Sequence, residues 1–201
     1  MKSIDVPAAA GFGELEKFAK LDVDQVCWPA DYPYKPEVKV ALAHTADRLL
    51  IRFDVCEQNV KAVTTLDNGP VWEDSCAEFF VKVPGSAFYF NFETNCIGTG
   101  LAAKRVSKTD CVHFTPGQMA RVLRRSSLPH EPVDIKDGAW SLELEVPFDL
   151  IDCEGCPEKL LVNFYKCGDN TAVPHFVSWN LVGSETPNFH LPEYFGELRL
   201  L

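Results

Sequence analysis

From Arg48 to Val55 apolar and polar residues alternate, with Leu49, Ile51, Phe53 and Val55 on one side and Arg52 and Asp54 on the other. Trp140 to Val146 repeats the pattern, setting Trp140, Leu142, Leu144 and Val146 against Ser141, Glu143 and Glu145. Successive side chains of a strand point to opposite faces, so this period of two marks half-buried antiparallel strands. Further strands are predicted over 38–43, 76–83, 87–95, 97–104, 121–126, 160–167 and 195–201. Turn residues separate several of them, notably Asp67-Asn68-Gly69-Pro70 and Val83-Pro84-Gly85-Ser86, where glycine supplies positive φ and proline a fixed one. Only two short helices are expected, around 14–21 and around 148–151. Nine or so strands at this spacing predict an all-β fold, a two-sheet antiparallel β-sandwich of jelly-roll-like type.

The chain has 201 residues, enough for one full core and short for two, so a single domain over 1–201 is expected, with 1–27 an N-terminal extension packed on it. Its net charge of −10 repels phosphate backbones and disfavours nucleic acid as a partner. No stretch approaches the roughly 18 apolar residues of a membrane span, and Asp5 and Pro7 interrupt any early apolar run. As written, the chain reads as cytoplasmic; a protein with its signal peptide removed, secreted or periplasmic, would read the same. The eight cysteines are expected to be reduced, several packing in strands as small hydrophobes. Cys153-Glu-Gly-Cys156 has two-ligand zinc spacing but no second pair, and reads as a turn.

The strand Phe88 to Asn95 carries the most chemistry. Phe88, Phe90 and Phe92 share the core face, which leaves Tyr89, Asn91, Glu93 and Asn95 in register on the other. Amides that both donate and accept, beside a carboxylate that accepts from two neighbours, suit vicinal hydroxyls; a solvated face or an internal polar network would use the same residues. Glu78, on the preceding strand, falls on the same side. Trp72 precedes that strand and Trp179 lies near a loop, so both are candidates for an exposed plane that stacks on a sugar ring, whereas Trp140 is core. The run from Trp28 to Pro36 has three prolines and three aromatics and reads as an extended strap packed on the sandwich.

Val71-Trp72-Glu73-Asp74-Ser75-Cys76-Ala77-Glu78-Phe79-Phe80, leading into Tyr89-Phe90-Asn91-Phe92-Glu93-Thr94-Asn95, resembles the central signature of the family 9-like carbohydrate-binding modules. The resemblance extends over about residues 28–201, through Val146-Pro147-Phe148, Asn163-Phe164-Tyr165 and the tail from Pro187 to Leu198. It implies a β-sandwich that grips a mono- or oligosaccharide between two aromatic planes, is ancillary to glycoside hydrolases, and can carry structural calcium. By motif position Trp72 and Trp179 match the clamp and Glu78 the acidic contact. Asn91, Glu93 and Asn95 match a strand of polar residues at the site. The segment between Lys104 and Trp140 has no motif that aligns.

Other functions compete. Asp74, Glu78 and Glu93 offer the carboxylates of a glycoside hydrolase, but an exposed platform is a poor place to raise the pKa of an acid. Haem would need axial ligands, and Met119 and the scattered histidines (His190 among them) form no set. A structural or interaction sandwich without sugar binding has the same strand pattern. For calcium, Asp22-Val23-Asp24 is the motivating pair, at loops and apart from the sugar site.

Overall fold

A computed structural model describes residues 1–201. The first seven strands are β1 (Ser3–Val6), β2 (Leu21–Asp22), β3 (Gln25–Val26), β4 (Glu37–His44), β5 (Arg48–Ala62), β6 (Cys76–Lys82) and β7 (Tyr89–Asn95). The second seven are β8 (Gly100–Arg105), β9 (Cys111–His113), β10 (Leu123–Ser126), β11 (Val133–Pro147), β12 (Lys159–Cys167), β13 (Phe176–Ser178) and β14 (Gly196–Leu200). They form two sheets. The larger runs β1-β14-β12-β6-β7-β8-β9, with β13 and β3 branching from β12, and the smaller runs β10-β11-β5-β4-β2. All pairs are antiparallel except β1 with β14. The predicted all-β sandwich is the one that forms.

The alternating segments lie where expected, but β5 and β11 each extend to 15 residues. The sequence signal fades after Val55 because Glu57 and Asn59 occupy inward positions there. Glu57 is charge-compensated inside: its Oε1 accepts a hydrogen bond from Trp140 Nε1 at 2.6 Å and its Oε2 pairs with the buried Lys166 at 2.8 Å. The helix expected near 14–21 is a single 3-10 stretch over Phe12–Lys17, because Phe18 is already extended and Leu21 enters β2. The turn over Phe148–Ile151 is also 3-10. A short α1 (Pro116–Met119), closed by a Thr115/Gln118 capping box, was not expected.

The main core lies between the sheets, where Phe79 stacks on Phe92 and Phe164 with centroids 6.0 and 5.4 Å apart. A second apolar cluster lies on the outer face of the larger sheet. There Phe80, Tyr89 and Tyr165 are roofed by Trp28, Val182, Phe189 and Phe195. The strap packs as predicted, with Trp28 against Phe176 and Phe189 at 5.9 and 5.8 Å and Tyr32 against Phe176 at 4.7 Å. Residues 1–27 do more than pack on the domain: they add β1 to β14, β2 to β4 and β3 to β13. No helix is long and apolar enough to cross a membrane.

Candidate functional site

The roof over the larger sheet is incomplete, and the gap is a cleft of about 250 Å³. Its polar side comes from the sheet. Glu78 on β6 and Glu93 on β7 are register partners, so their side chains rise from the same face, and each is only 3% exposed. Glu93 Oε1 accepts from Asn91 Nδ2 at 2.8 Å, and Asn91 Oδ1 accepts from Arg105 Nε at 2.5 Å. Arg105, the register partner of Tyr89 on β8, also donates to the Lys108 carbonyl at 2.7 Å. Glu78 Oε1 accepts from the Cys167 thiol at 3.0 Å.

Burial dominates the electrostatics. It raises the Glu78 carboxyl well above the usual range, and the facing Glu93 charge adds to this. Burial likewise pushes Glu93 up to about 7, although Arg105 and the Asn91 hydrogen bond pull the other way. Asp169, in the loop after β12, is pushed up to about 6 by burial and then by Glu73. His190 is pushed down to about 3 by burial and by the charges of Arg105 and Lys108, so its ring is neutral at pH 7. Its Nδ1 lies 3.2 Å from the Tyr89 hydroxyl.

The apolar side comes from loops and the short β13. Trp72 sits on a 3-10 turn, Val71–Glu73, and is 39% exposed at the cleft. Its backbone is pinned by Asp169 N–H, which donates to the Trp72 carbonyl at 3.2 Å. Phe176 and Phe189 complete the aromatic lining, and Phe189 is held by stacking on Tyr165 at 4.1 Å.

The sequence-predicted residues therefore separate. Trp72, Glu78 and Glu93 meet at the cleft, and Asn91 lies behind Glu93 and orients it. Trp179 does not: it is 4% exposed and packs between the sheets, edge to face with Phe164 at 5.9 Å. The cause is strand parity. Val177 and Trp179 share the inward face of the run that begins at Phe176, so Phe176 takes the outward position facing the cleft. Asn95 is also elsewhere. Its Nδ2 donates to Asp74 Oδ2 and the Thr64 carbonyl, both at 2.9 Å, and its Oδ1 accepts from Thr99 N–H at 2.9 Å, closing the turn after β7. An expected clamp of Trp72 against Trp179 is thus not formed.

Arg105, Lys108, Asp169, Phe176, Phe189 and His190 were not predicted at the site. Arg105 had a legible parity, two positions beyond Ala103 on a strand whose partner is known. Phe176 opens β13, too short a strand to show its alternation, and the others lie in loops, where no periodicity reports which way a side chain points.

The calcium expectation finds little support in the donor set. Asp24 is engaged by Gln25 Nε2 at 2.6 Å and faces Lys2 at 3.8 Å, and no third carboxylate converges with Asp22 and Asp24. Calcium takes six to eight oxygens. The two aspartates do not fit it.

A β-sandwich with buried carboxylates under an aromatic-lined opening is built as a binding module, with its polar groups fixed by the sheet and its apolar wall by loops and the short β13. Residues 11–200 match the sequence profile of Carbohydrate-binding family 9, and the chain belongs to that family. It is similar to a candidate carbohydrate-binding protein from Bacteroides uniformis, at 34% identity and a TM-score of 0.93 over 100% of this chain and 99% of that one. It shares its fold with a family 9 module from Caldicellulosiruptor kristjanssonii solved in complex with glucose, at 11% identity and a TM-score of 0.68 over 100% and 96% of the two chains. The complex of such a module from the same organism with cellotriose gives 11% and 0.63 over 99% and 93%. The comparison with curated proteins gave no match.

Proposed function

We propose that the cleft holds a mono- or oligosaccharide against the Trp72 indole and binds it without chemical change, as an accessory to polysaccharide breakdown by glycoside hydrolases. The observation that carries this reading is the exposed face of Trp72 at the mouth of a cleft floored by Glu78 and Glu93. The C–H face of a pyranose stacks on such a plane, and its hydroxyls donate to carboxylates. Neutral His190 and Asn188 can add hydrogen bonds of either sense. Phe176 and Phe189 take the place on the apolar wall that the sequence assigned to a second tryptophan. The cleft's volume of about 250 Å³ suits a single ring or a chain end. The sugars held in the complexes of the neighbouring folds, glucose and cellotriose, are the natural first ligands.

Calorimetric titration of the wild type and Trp72→Ala with both sugars tests the proposal. Truncating an aromatic anchor should weaken binding by roughly 1–3 kcal/mol, with an unchanged melting temperature and no cleavage of cellotriose on prolonged incubation. Wild-type affinity in Trp72→Ala, or no heat with either sugar, would reject it.

A further inference from the structure

We propose that Cys76, Glu78 and Cys167 form a binding site for one thiophilic divalent ion, of the zinc or cobalt type, at the floor of the cleft. Cys76 and Cys167 are direct cross-strand partners on β6 and β12. Glu78 lies two residues along β6, so the strand period brings it to the same face. Both sulfurs and a Glu78 carboxylate oxygen lie within 4.8 Å of one another, with Cys167 Sγ 3.0 Å from Glu78 Oε1. Around a tetrahedral zinc, with bonds of about 2.3 Å to sulfur and 2.0–2.2 Å to oxygen, such donors stand roughly 3.5–3.8 Å apart. Shifts of about 1 Å or less, within the reach of side-chain rotation, convert one arrangement into the other.

The charge balance favours a cation. Glu78 is 3% exposed, forms no ion pair, faces a second carboxylate and has only a thiol as donor. A buried carboxylate in that state is costly, and a divalent ion supplies the missing positive charge. Asp169 lines the same cleft, its charge acts on both Glu78 and Cys167, and its buried Oδ1 has no hydrogen-bond partner. Glu78 and Cys167 line the cleft, which gives the ion an entry path and leaves its remaining position toward the opening. Two sulfurs select a soft or borderline ion over calcium or magnesium. Thiols ligate as thiolates, so binding releases protons and weakens as pH falls.

The test is titration of reduced, metal-stripped protein with Co²⁺ alone. A thiolate-to-cobalt charge-transfer band and tetrahedral d–d bands should grow to one equivalent and vanish when Zn²⁺ is added. Loss of a supporting second-sphere group costs 10–100-fold, so Cys76→Ser, Cys167→Ser and Glu78→Gln should each weaken cobalt binding by at least about 100-fold. A Cys56→Ser/Cys156→Ser variant, which removes the two exposed thiols, should bind as the wild type does. Absence of the charge-transfer band, its survival in Cys76→Ser/Cys167→Ser, or its loss in Cys56→Ser/Cys156→Ser overturns the proposal. If the buried serine variants do not fold, Glu78→Gln decides: unchanged cobalt affinity overturns it. Loss of sugar binding with cobalt binding intact would count against the saccharide reading alone.

Discussion

Trp72 and Trp179 each stand beside polar residues in the chain, in Val71-Trp72-Glu73-Asp74 and Val177-Ser178-Trp179-Asn180, and local composition does not separate them. Their surroundings do. Trp72 lies on a turn at the cleft, whereas the Trp179 ring fills a space that Gly196 leaves open: a Cβ at Gly196 would collide with the indole. Trp179→Ala should therefore behave as a core truncation and cost about 3–5 kcal/mol in urea denaturation, as Trp140→Ala should. Trp72→Ala should leave the denaturation midpoint where it is. Wild-type stability in Trp179→Ala would return that residue to the list of binding candidates. The parity of Trp179 was present in the sequence, since it follows Val177 by two. What concealed it was the shortness of β13, only three residues, flanked by Asn180 on one side and His175 on the other.

The paired strands β6 and β7 bring the carboxyls of Glu78 and Glu93 together, and this makes stability depend on pH in a stated direction. Glu93 moves from an ordinary 4.5 to about 7 on folding. Between those values the folded chain keeps a proton that the unfolded chain has lost, so stability falls as pH rises through the interval. Above it both states are ionised and the full penalty remains, at most about 3 kcal/mol at 1.36 kcal/mol for each unit. Glu78 and Asp169 are raised as well and act with the same sign; Arg105 and Lys108 oppose them. Glu93→Gln keeps an acceptor for Asn91 and removes the charge. It should flatten the pH dependence of the unfolding free energy between about 4.5 and 7 and exceed the wild type in stability above pH 7. The same slope in the variant and the wild type would show that the Glu93 carboxyl is not raised. The ladder of Tyr89, Asn91, Glu93 and Asn95 was legible, because alternation assigns faces within one strand. Its burial was not, because the roof comes from Trp28 and from residues 182–195, far away in the chain, and no local pattern reports what covers a sheet.

At the scale of the whole molecule, two packed sheets set the core, and the cleft opens between the outer face of the larger sheet and a third, irregular layer. The first ten residues belong to the packed sheets. Residues 1–10 precede the matched family region, yet β1 runs along β14 at one edge of the larger sheet. The chain then crosses to the smaller sheet, where His44 N–H donates to the Pro7 carbonyl at 3.0 Å and Ala9 N–H to the His44 carbonyl at 2.8 Å. Val6, fully buried, lies between the two contacts and joins the main core. The segment thus ties one sheet to the other across an end of the sandwich. Burial of Val6 alone is worth about 1.5–3 kcal/mol. Removing residues 1–10 should lower the unfolding free energy by at least that amount. Sugar affinity should be unchanged, because none of residues 1–10 lines the cleft, although Lys2 ties the segment to the run after β13, its Nζ donating to the Trp179 carbonyl at 2.6 Å and its N–H to Asn180 Oδ1 at 3.0 Å. Chemical denaturation and calorimetry on the shortened chain check both halves. An unmoved denaturation midpoint would show that the tie carries no load, and weakened binding in a stably folded shortened chain would show that the two layers are coupled.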